Sequence, residues 1–279
     1  LGEIIHPNIG VVTNVGVSHI EMMGSRDNIC REKLDIQNGL PEDGSLLLNG
    51  DNDMIRKHLS YVKKPYEFYG FAPDCTYRAE NIQVQDSQTS FRFCYKETSE
   101  DILLNVLGDH NVSNALAAIA IGLKYQVPIE TIKTQLSTFS GQRQNIIHSH
   151  GYTIIDDSYN ASPDSMKASL KILSNYKSSG RKIAVLSDML ELGENAPEYH
   201  REVGRFLAST NVTDLYITGE LSKEYIAEAS SIKPSIRTRH FESNGDLVHF
   251  LEEFLTAEDV LLVKASNGMK LKEVSDALT

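Results

Sequence analysis

Beyond residue 141 the chain repeats one alternation of polarity. Strands are read near 152–156, 182–187, 213–218, 236–241 and 259–264, each followed by a helical stretch. Apolar strands alternating with helices predict a parallel sheet covered by helices, so the fold class expected is α/β, with residues 141–279 read as a Rossmann-like domain. Residues 1–140 are read as a second domain. In it, Gly10-Val11-Val12-Thr13-Asn14-Val15-Gly16 and Leu46-Leu47-Leu48 are buried-type strands that empty into polar loops, the second into Asn49-Gly50-Asp51-Asn52-Asp53. From Pro65 to Leu107 the texture changes to alternating runs such as Thr89-Ser90-Phe91-Arg92-Phe93-Cys94-Tyr95, which predict a small antiparallel sheet. Helices are expected over 26–40, started by Ser25 or Asp27 and ended by Gly39, and again over 112–125 and 129–139.

Composition narrows the classes. A chain of 279 residues with 41% hydrophobic content can fill two cores. A net charge of -11 and a pI near 5.3 argue against a general nucleic-acid or anionic-membrane binder. Cys30, Cys75 and Cys94 are odd in number and widely spaced, which indicates neither a disulfide framework nor a zinc site and fits a reducing cytoplasm. The longest apolar run, Ala115 to Leu123, is far short of the ~20 residues of a membrane span. No signal peptide opens the chain, and its start at Leu1 reads as a piece whose natural N-terminus lies upstream.

Candidate chemistry sits in the loops past the strands, where open parallel sheets bind ligands. Tyr152-Thr153-Ile154-Ile155 runs into Asp156-Asp157-Ser158-Tyr159-Asn160-Ala161-Ser162-Pro163, whose proline can open the next helix. Either this loop presents Asp156, Asp157, Tyr159 and Asn160 together to a ligand or its polar residues only cap backbone. Asp157 is expected to be a solvated carboxylate that contributes little to stability.

Lys33 follows Ile29 by four and precedes Ile36 by three, in a stripe continued by Leu40. A lysine there must snorkel, be paired or lose its charge, and a neutral amine can add carbon dioxide and hold magnesium as a carbamate. His19, two residues before Glu21, is a metal ligand or a surface residue. Asn111 and Asn114, one helical turn apart, can read a nucleotide, or His110 and Asn111 cap the helix. Arg143 can clamp a phosphate or bridge the domains. Lys264 and Ser266, at another strand end, suit an anionic substrate, with Ser266 as a helix cap the alternative. His200, inside a helical stretch, reads as a packing or surface residue, not a catalytic one.

The order of these motifs resembles that of the Mur ligases. The motifs are Thr13-Asn14-Val15-Gly16-x-x-His19-x-Glu21, Lys33, Gly108-x-His110-Asn111-x-x-Asn114-Ala115, Asp156-Asp157-x-Tyr159-Asn160-Ala161-x-Pro163, Asp188-Met189-x-Glu191-Leu192-Gly193 and Lys264-x-Ser266-x-Gly268-Met269. The resemblance implies a partial central ATPase domain over 1–140, with a parallel sheet and a small antiparallel one, followed by a Rossmann-like ligase domain over 141–279. It implies ATP and magnesium as cofactors, and a cytoplasmic, monomeric amide ligase in peptidoglycan-precursor synthesis. Its partners would be UDP-N-acetylmuramoyl-tripeptide and D-alanyl-D-alanine, joined through an acyl phosphate, with neither nucleic acid nor membrane involved.

By that resemblance His19 ligates magnesium beside a carbamylated Lys33. Asn111, Arg143 and Asp157 contact ATP, and Asn160, Lys264 and Ser266 lie toward the incoming dipeptide. The family's phosphate loop would lie upstream of Leu1, and no G-x-x-x-x-G-K-[ST] occurs in the chain, so these residues alone are expected to fold without turning over. The chain departs from the family pattern at Ser187, Ala265 and Asn267. The rival readings are a folate-type or cyanophycin-type amide ligase with another acceptor, and a non-catalytic scaffold.

Overall fold

The computed structural model describes residues 2–85, 88–139 and 145–279. Its contacts fall into two compact units, Leu1–Ser140 and Gly141–Thr279, each built on one six-stranded sheet. In the first, β1 (Ile9–Val12), β2 (Ser45–Asn49), β3 (Tyr66–Gly70) and β4 (Tyr77–Gln85) run parallel. Next to them β5 (Gln88–Tyr95) and β6 (Thr98–Leu104) pair antiparallel.

Leu46, Leu47 and Leu48 are all fully buried because both faces of the sheet are covered. Leu47 joins Tyr69, Phe91 and Phe93 beneath the helix Asp109–Lys124, which supplies Val112, Leu116 and Ile119. Leu46 and Leu48 point the other way, into a cluster with Ile29, Leu34 and Ile55. The antiparallel strands keep the predicted alternation, with Phe91 and Phe93 buried and Arg92 outside. They form a continuation of the parallel sheet, not a sheet of their own, and the seam between β3 and β4 is only two residue pairs long.

The stretch expected as one helix over 26–40 corrects the reading of Lys33. Ser25 does start a helix, accepting from the Asn28 N–H at 3.2 Å, but the α-helix ends at Leu34 and a tighter 3-10 turn spans Asp35–Gly39. Ile36 and Leu40 still pack on the cluster that holds Ile29, but they do so from beyond the end of the α-helix. The buried positions on the helix are Ile29, Cys30 and Leu34, and Lys33 is exposed to solvent. The lysine therefore does not sit in a core.

In the second unit β8 (Tyr152–Asp156), β9 (Lys182–Leu186), β10 (Asp214–Ile217), β11 (Arg237–His240) and β12 (Val260–Lys264) are parallel in the order β11-β10-β9-β12-β8. An edge strand that the polarity pattern did not reveal, β7 (Asn145–Ser149), pairs antiparallel with β8. His150 and Gly151 join them, both at positive φ (49° and 90°), as a two-residue hairpin turn requires. Ser162 and Ser165 form a capping box at the helix Pro163–Asn175, which begins at the expected proline. From β8 to β11 the strands progress in one direction, and β12 then returns to lie between β9 and β8. The carboxyl ends of β8, β12 and β9 thus meet at a topological switch point, where such sheets leave a crevice.

At the opposite end of β12, Asp259 is 1% exposed and collects donors from two segments. Arg181 gives its backbone N–H at 2.9 Å and Nε at 3.0 Å, Thr256 gives its N–H at 2.8 Å, and the Arg181 guanidinium lies 3.9 Å from the Phe254 ring centre. Burial alone would raise the Asp259 carboxyl, but these donors outweigh it and hold the group below the usual carboxylate range. Asp259→Asn should lower the unfolding free energy by about 2 kcal/mol at neutral pH. A depressed folded-state pKa means that this contribution is complete above the unfolded value near ~3.9 and fades as pH falls through the lower folded value. Urea titrations should show the gap between the two proteins shrinking toward about pH 3. A gap that stays constant or widens there contradicts the assignment.

Candidate functional site

In the first unit, the loops beyond β1 and β2 are tied together at the carboxyl edge of the sheet. Asn49 Nδ2 donates to the Thr13 carbonyl at 2.8 Å, and Asn52 Nδ2 donates to Asn14 Oδ1 at 2.8 Å. Arg26 donates to the Val15 carbonyl at 2.9 Å and to Asp53 at 2.6 Å. Asp51 accepts from the N–H groups of Phe71 and Ala72 at 2.7 and 2.9 Å, close against Gly70, whose φ of 151° and missing Cβ admit the carboxylate.

His19 follows on the same edge. It is exposed, starts the short helix Ile20–Met23, and holds a left-handed backbone at φ 61° and ψ 21°. That conformation costs a non-glycine residue ~1–2 kcal/mol and collects at functional positions. Among the described residues no group of three or more His, Cys, Asp or Glu is placed to hold a metal by itself. At the helix Asp109–Lys124 the N-cap is Gly108, not His110 or Asn111, and the Asn111 amide donates to the Leu107 carbonyl at 2.8 Å. Asn114 is exposed. Arg143 lies outside the described residues.

The second unit holds the denser arrangement. Lys264 ends β12 with 2% exposure, and its ammonium donates to Asp157 Oδ2 at 2.8 Å and to the Asn160 carbonyl at 2.9 Å. Burial pulls the lysine's pKa down, and the charge and hydrogen bond of Asp157 oppose that pull. Ser169 also donates to Asp157 Oδ2, at 2.5 Å. The solvated carboxylate expected at Asp157 is thus the counter-ion of a buried cation, because β12 lies beside β8 and brings Lys264 under the loop. Asp156, 3% exposed, accepts from the N–H and hydroxyl of Ser158 at 3.1 and 2.6 Å. Asn160 exposes its side chain, which accepts from the Ala161 N–H at 2.8 Å, and Tyr159 is 56% exposed.

The loop after β9 is fixed by three different elements. The Asp188 carboxylate accepts from the Ser222 N–H and hydroxyl at 2.8 and 2.7 Å, beside Gly219 at φ 92°, where a Cβ would come within 2.5 Å of that carboxylate. The Met189 N–H donates to His200 Nε2 at 3.0 Å, and the Leu190 N–H donates to the Ser266 hydroxyl at 2.9 Å. Ser266, 5% exposed, is neither free in the crevice nor a side-chain helix cap, since its hydroxyl braces this loop. Ser187 is fully buried and donates to the Thr218 carbonyl at 2.7 Å, so its side chain does not enter the crevice. Ala265 is fully buried in the core, and Asn267 is exposed.

The crevice is therefore rimmed by Tyr159, Asn160, Leu190, Glu191 and Asn267, above an internal layer of Lys264, Asp157, Asp188 and Ser266. Ser222 and Gly219 escaped the sequence reading. Their only signal was a Gly-x-x-Ser run past a strand.

The family profile of the Mur ligase middle domain matches residues 1–122, and that of the Mur ligase glutamate ligase domain matches residues 142–267. Over 278 residues the chain is 35% identical to the UDP-N-acetylmuramoyl-tripeptide--D-alanyl-D-alanine ligase of Bacillus subtilis (strain 168), a match covering 98% of this chain and 60% of that protein. A solved structure of MurF from Acinetobacter baumannii superposes with a TM-score of 0.87 at 24% identity, over 99% of this chain and 60% of that one. MurF ligase from Thermotoga maritima, solved in complex with ADP, gives a TM-score of 0.82 at 24% identity, over 98% and 61%. The chain spans about 60% of the length of the curated relatives it matches. With both domain profiles matched in order and a relative at this identity along nearly its whole length, the chain belongs to the Mur ligase family.

Proposed function

We propose that the chain is the part of an ATP-dependent amide ligase that joins D-alanyl-D-alanine to UDP-N-acetylmuramoyl-tripeptide. The observation that carries this reading is the match along 98% of the chain to a relative named for that reaction. ATP as the phosphoryl donor is supported by the relative solved with ADP. A carboxylate oxygen of the tripeptide attacks the γ-phosphorus, the bond to ADP breaks, and an acyl phosphate remains. The dipeptide's amine, after losing a proton, attacks the acyl carbon. Its nitrogen loses a second proton, and the bond to phosphate breaks as the amide forms.

Binding and orientation supply most of the catalysis in such phosphoryl and acyl transfers. Asn111, with its Nδ2 held by Leu107, would offer Oδ1 to the nucleotide, and Arg143 would clamp phosphate oxygens. In the second unit Asp157, fixed by Lys264, would face the nucleotide, while Asn160, whose carbonyl also holds Lys264, and Leu190, fixed by Ser266, would shape the place of the incoming amine.

Magnesium, when bound, would neutralise the clustered phosphate oxygens. Its fit depends on donor chemistry: His19 offers an imidazole nitrogen, whereas Lys33 as an ammonium offers no lone pair. A carbamate on Lys33 would supply the oxygen, and the exposed amine is open to carbon dioxide. Phosphate and water would complete the shell, the shared kind of site magnesium favours. His19 and Lys33 are the protein ligands proposed for the metal.

The name of the second profile, a glutamate ligase domain, gives a glutamate-accepting amide ligase as the alternative. In full-length protein carrying this chain, phosphate release from ATP with the tripeptide nucleotide should require D-alanyl-D-alanine. Release that runs equally on glutamate, or no binding of magnesium-ATP at all, contradicts the proposal. Lys33→Ala should lower kcat at least about a hundredfold, the scale of removing one electrostatic stabiliser, and a short carboxylate such as acetate should restore part of it. Undiminished turnover in Lys33→Ala would remove the lysine from the mechanism.

A further inference from the structure

His200 is fully buried in the helix Ala196–Ala208, yet both of its ring nitrogens are engaged. Nδ1 lies 2.7 Å from the Ala196 carbonyl, which can only accept, so Nδ1 carries the hydrogen. Nε2 lies 3.0 Å from the Met189 N–H, which can only donate, so Nε2 must present a lone pair. The two bonds together require the neutral imidazole in a single tautomer. The Tyr225 ring lies 4.8 Å away, and Tyr225 itself is fully buried. His200 is thus an acceptor reaching from a helix to the backbone of a loop that two other elements also grip, through Ser222 on Asp188 and Ser266 on Leu190.

Those grips leave the loop's outer end presented. Leu190 is 41% exposed although large and apolar, and Glu191 follows it in the left-handed region at φ 62°. Leu190 also lies over Gly268, where a Cβ would meet its Cδ1 at 2.8 Å. We propose that His200 is a positioning residue whose neutral imidazole, as acceptor for the Met189 N–H, sets the backbone that presents Leu190 and Glu191 at the switch-point crevice to the incoming amine substrate. The second half of that statement rests on the function proposed above. The first half does not.

Acidification should open the latch. A proton on Nε2 would replace the acceptor with a second N–H pointing at the Met189 N–H. The groups facing the ring pull in opposing directions. Burial holds the histidine below its ordinary value, while the Ala196 carbonyl, Asp188 from the β9 loop and Glu224 from the helix Lys223–Ile232 raise it. Since the net shift is downward, the latch is intact above the unfolded histidine value near ~6.5 and weakens as pH falls below it.

The test is amide hydrogen exchange of the loop peptide, read by mass spectrometry on full-length protein without substrates, alongside steady-state kinetics. His200→Phe, which keeps a buried ring but no acceptor, should speed exchange at 188–191 about tenfold, the equivalent of one hydrogen bond, with the strands unchanged. His200→Gln can accept without titrating, so it should hold the loop near the wild-type rate at neutral pH and lose the acid-induced opening between about pH 6.5 and 5. Should His200→Phe not fold, the pH comparison between His200→Gln and wild type decides alone. Wild-type exchange in the Phe variant, or unchanged acid opening in the Gln variant, overturns the latch. If the latch holds, KM for D-alanyl-D-alanine should rise more than kcat falls in the Phe variant and recover in the Gln variant. An unchanged KM overturns the positioning role, and failure of any variant, wild type included, to use that dipeptide speaks against the reaction and not the latch.

Discussion

The crevice of the second unit depends on one buried cation. An ammonium taken out of water costs several kcal/mol unless charge and hydrogen bonds replace its hydration. Lys264 meets that requirement through the Asp157 carboxylate and the Asn160 carbonyl. Since Lys264 ends the strand lying between β8 and β9, satisfying it fixes the loop that follows β8. Ser266, two residues on, then fixes the loop that follows β9. A single strand end thereby places the crevice loops on both its flanks.

The consequence is a division of labour among polar residues of similar composition. Asp156, Asp188, Ser187, Ser222 and Ser266 are buried and bonded to protein, so they shape the loops. Tyr159, Asn160, Leu190, Glu191 and Asn267 are exposed above them and are the ones a ligand can reach. In the first unit, Asn49 and Asn52 brace the loop after β1 and Asp51 braces the segment after β3, while His19 is exposed. Rigid support below and an accessible rim above is what positioning of two reacting groups requires.

Much of this fold was legible because buried parallel strands leave continuous apolar runs, and Val260-Leu-Leu-Val could hardly be anything else. β7 was missed since its turn is His-Gly, not the Asn-Gly or Asp-Gly that normally announces a hairpin. Lys33 was misplaced because its stripe was drawn through Ile36 and Leu40, beyond the end of the α-helix, whereas the helix itself buries Ile29, Cys30 and Leu34. The loops themselves were found, but which of their side chains face inward was not. That depends on strand order, and no local pattern tells that β12 inserts beside β8. One clue was readable: a lysine closing a fully apolar strand needs a counter-ion, and an aspartate past another strand end is the natural one.

The account stands most directly on the coupling between Lys264 and Asp157. A double-mutant cycle with Lys264→Met and Asp157→Leu, followed by denaturant unfolding and by dipeptide-dependent phosphate release in full-length protein, measures it. Each single change should cost about 3 kcal/mol by stranding the other charge, and the pair together should cost much less than the sum. In the proposed reaction the stable double variant should nonetheless have lost most of its use of D-alanyl-D-alanine, since the loop no longer holds its shape. Additive losses in stability, or a double variant that turns over at the wild-type rate, would contradict the claim that this ion pair organises the site.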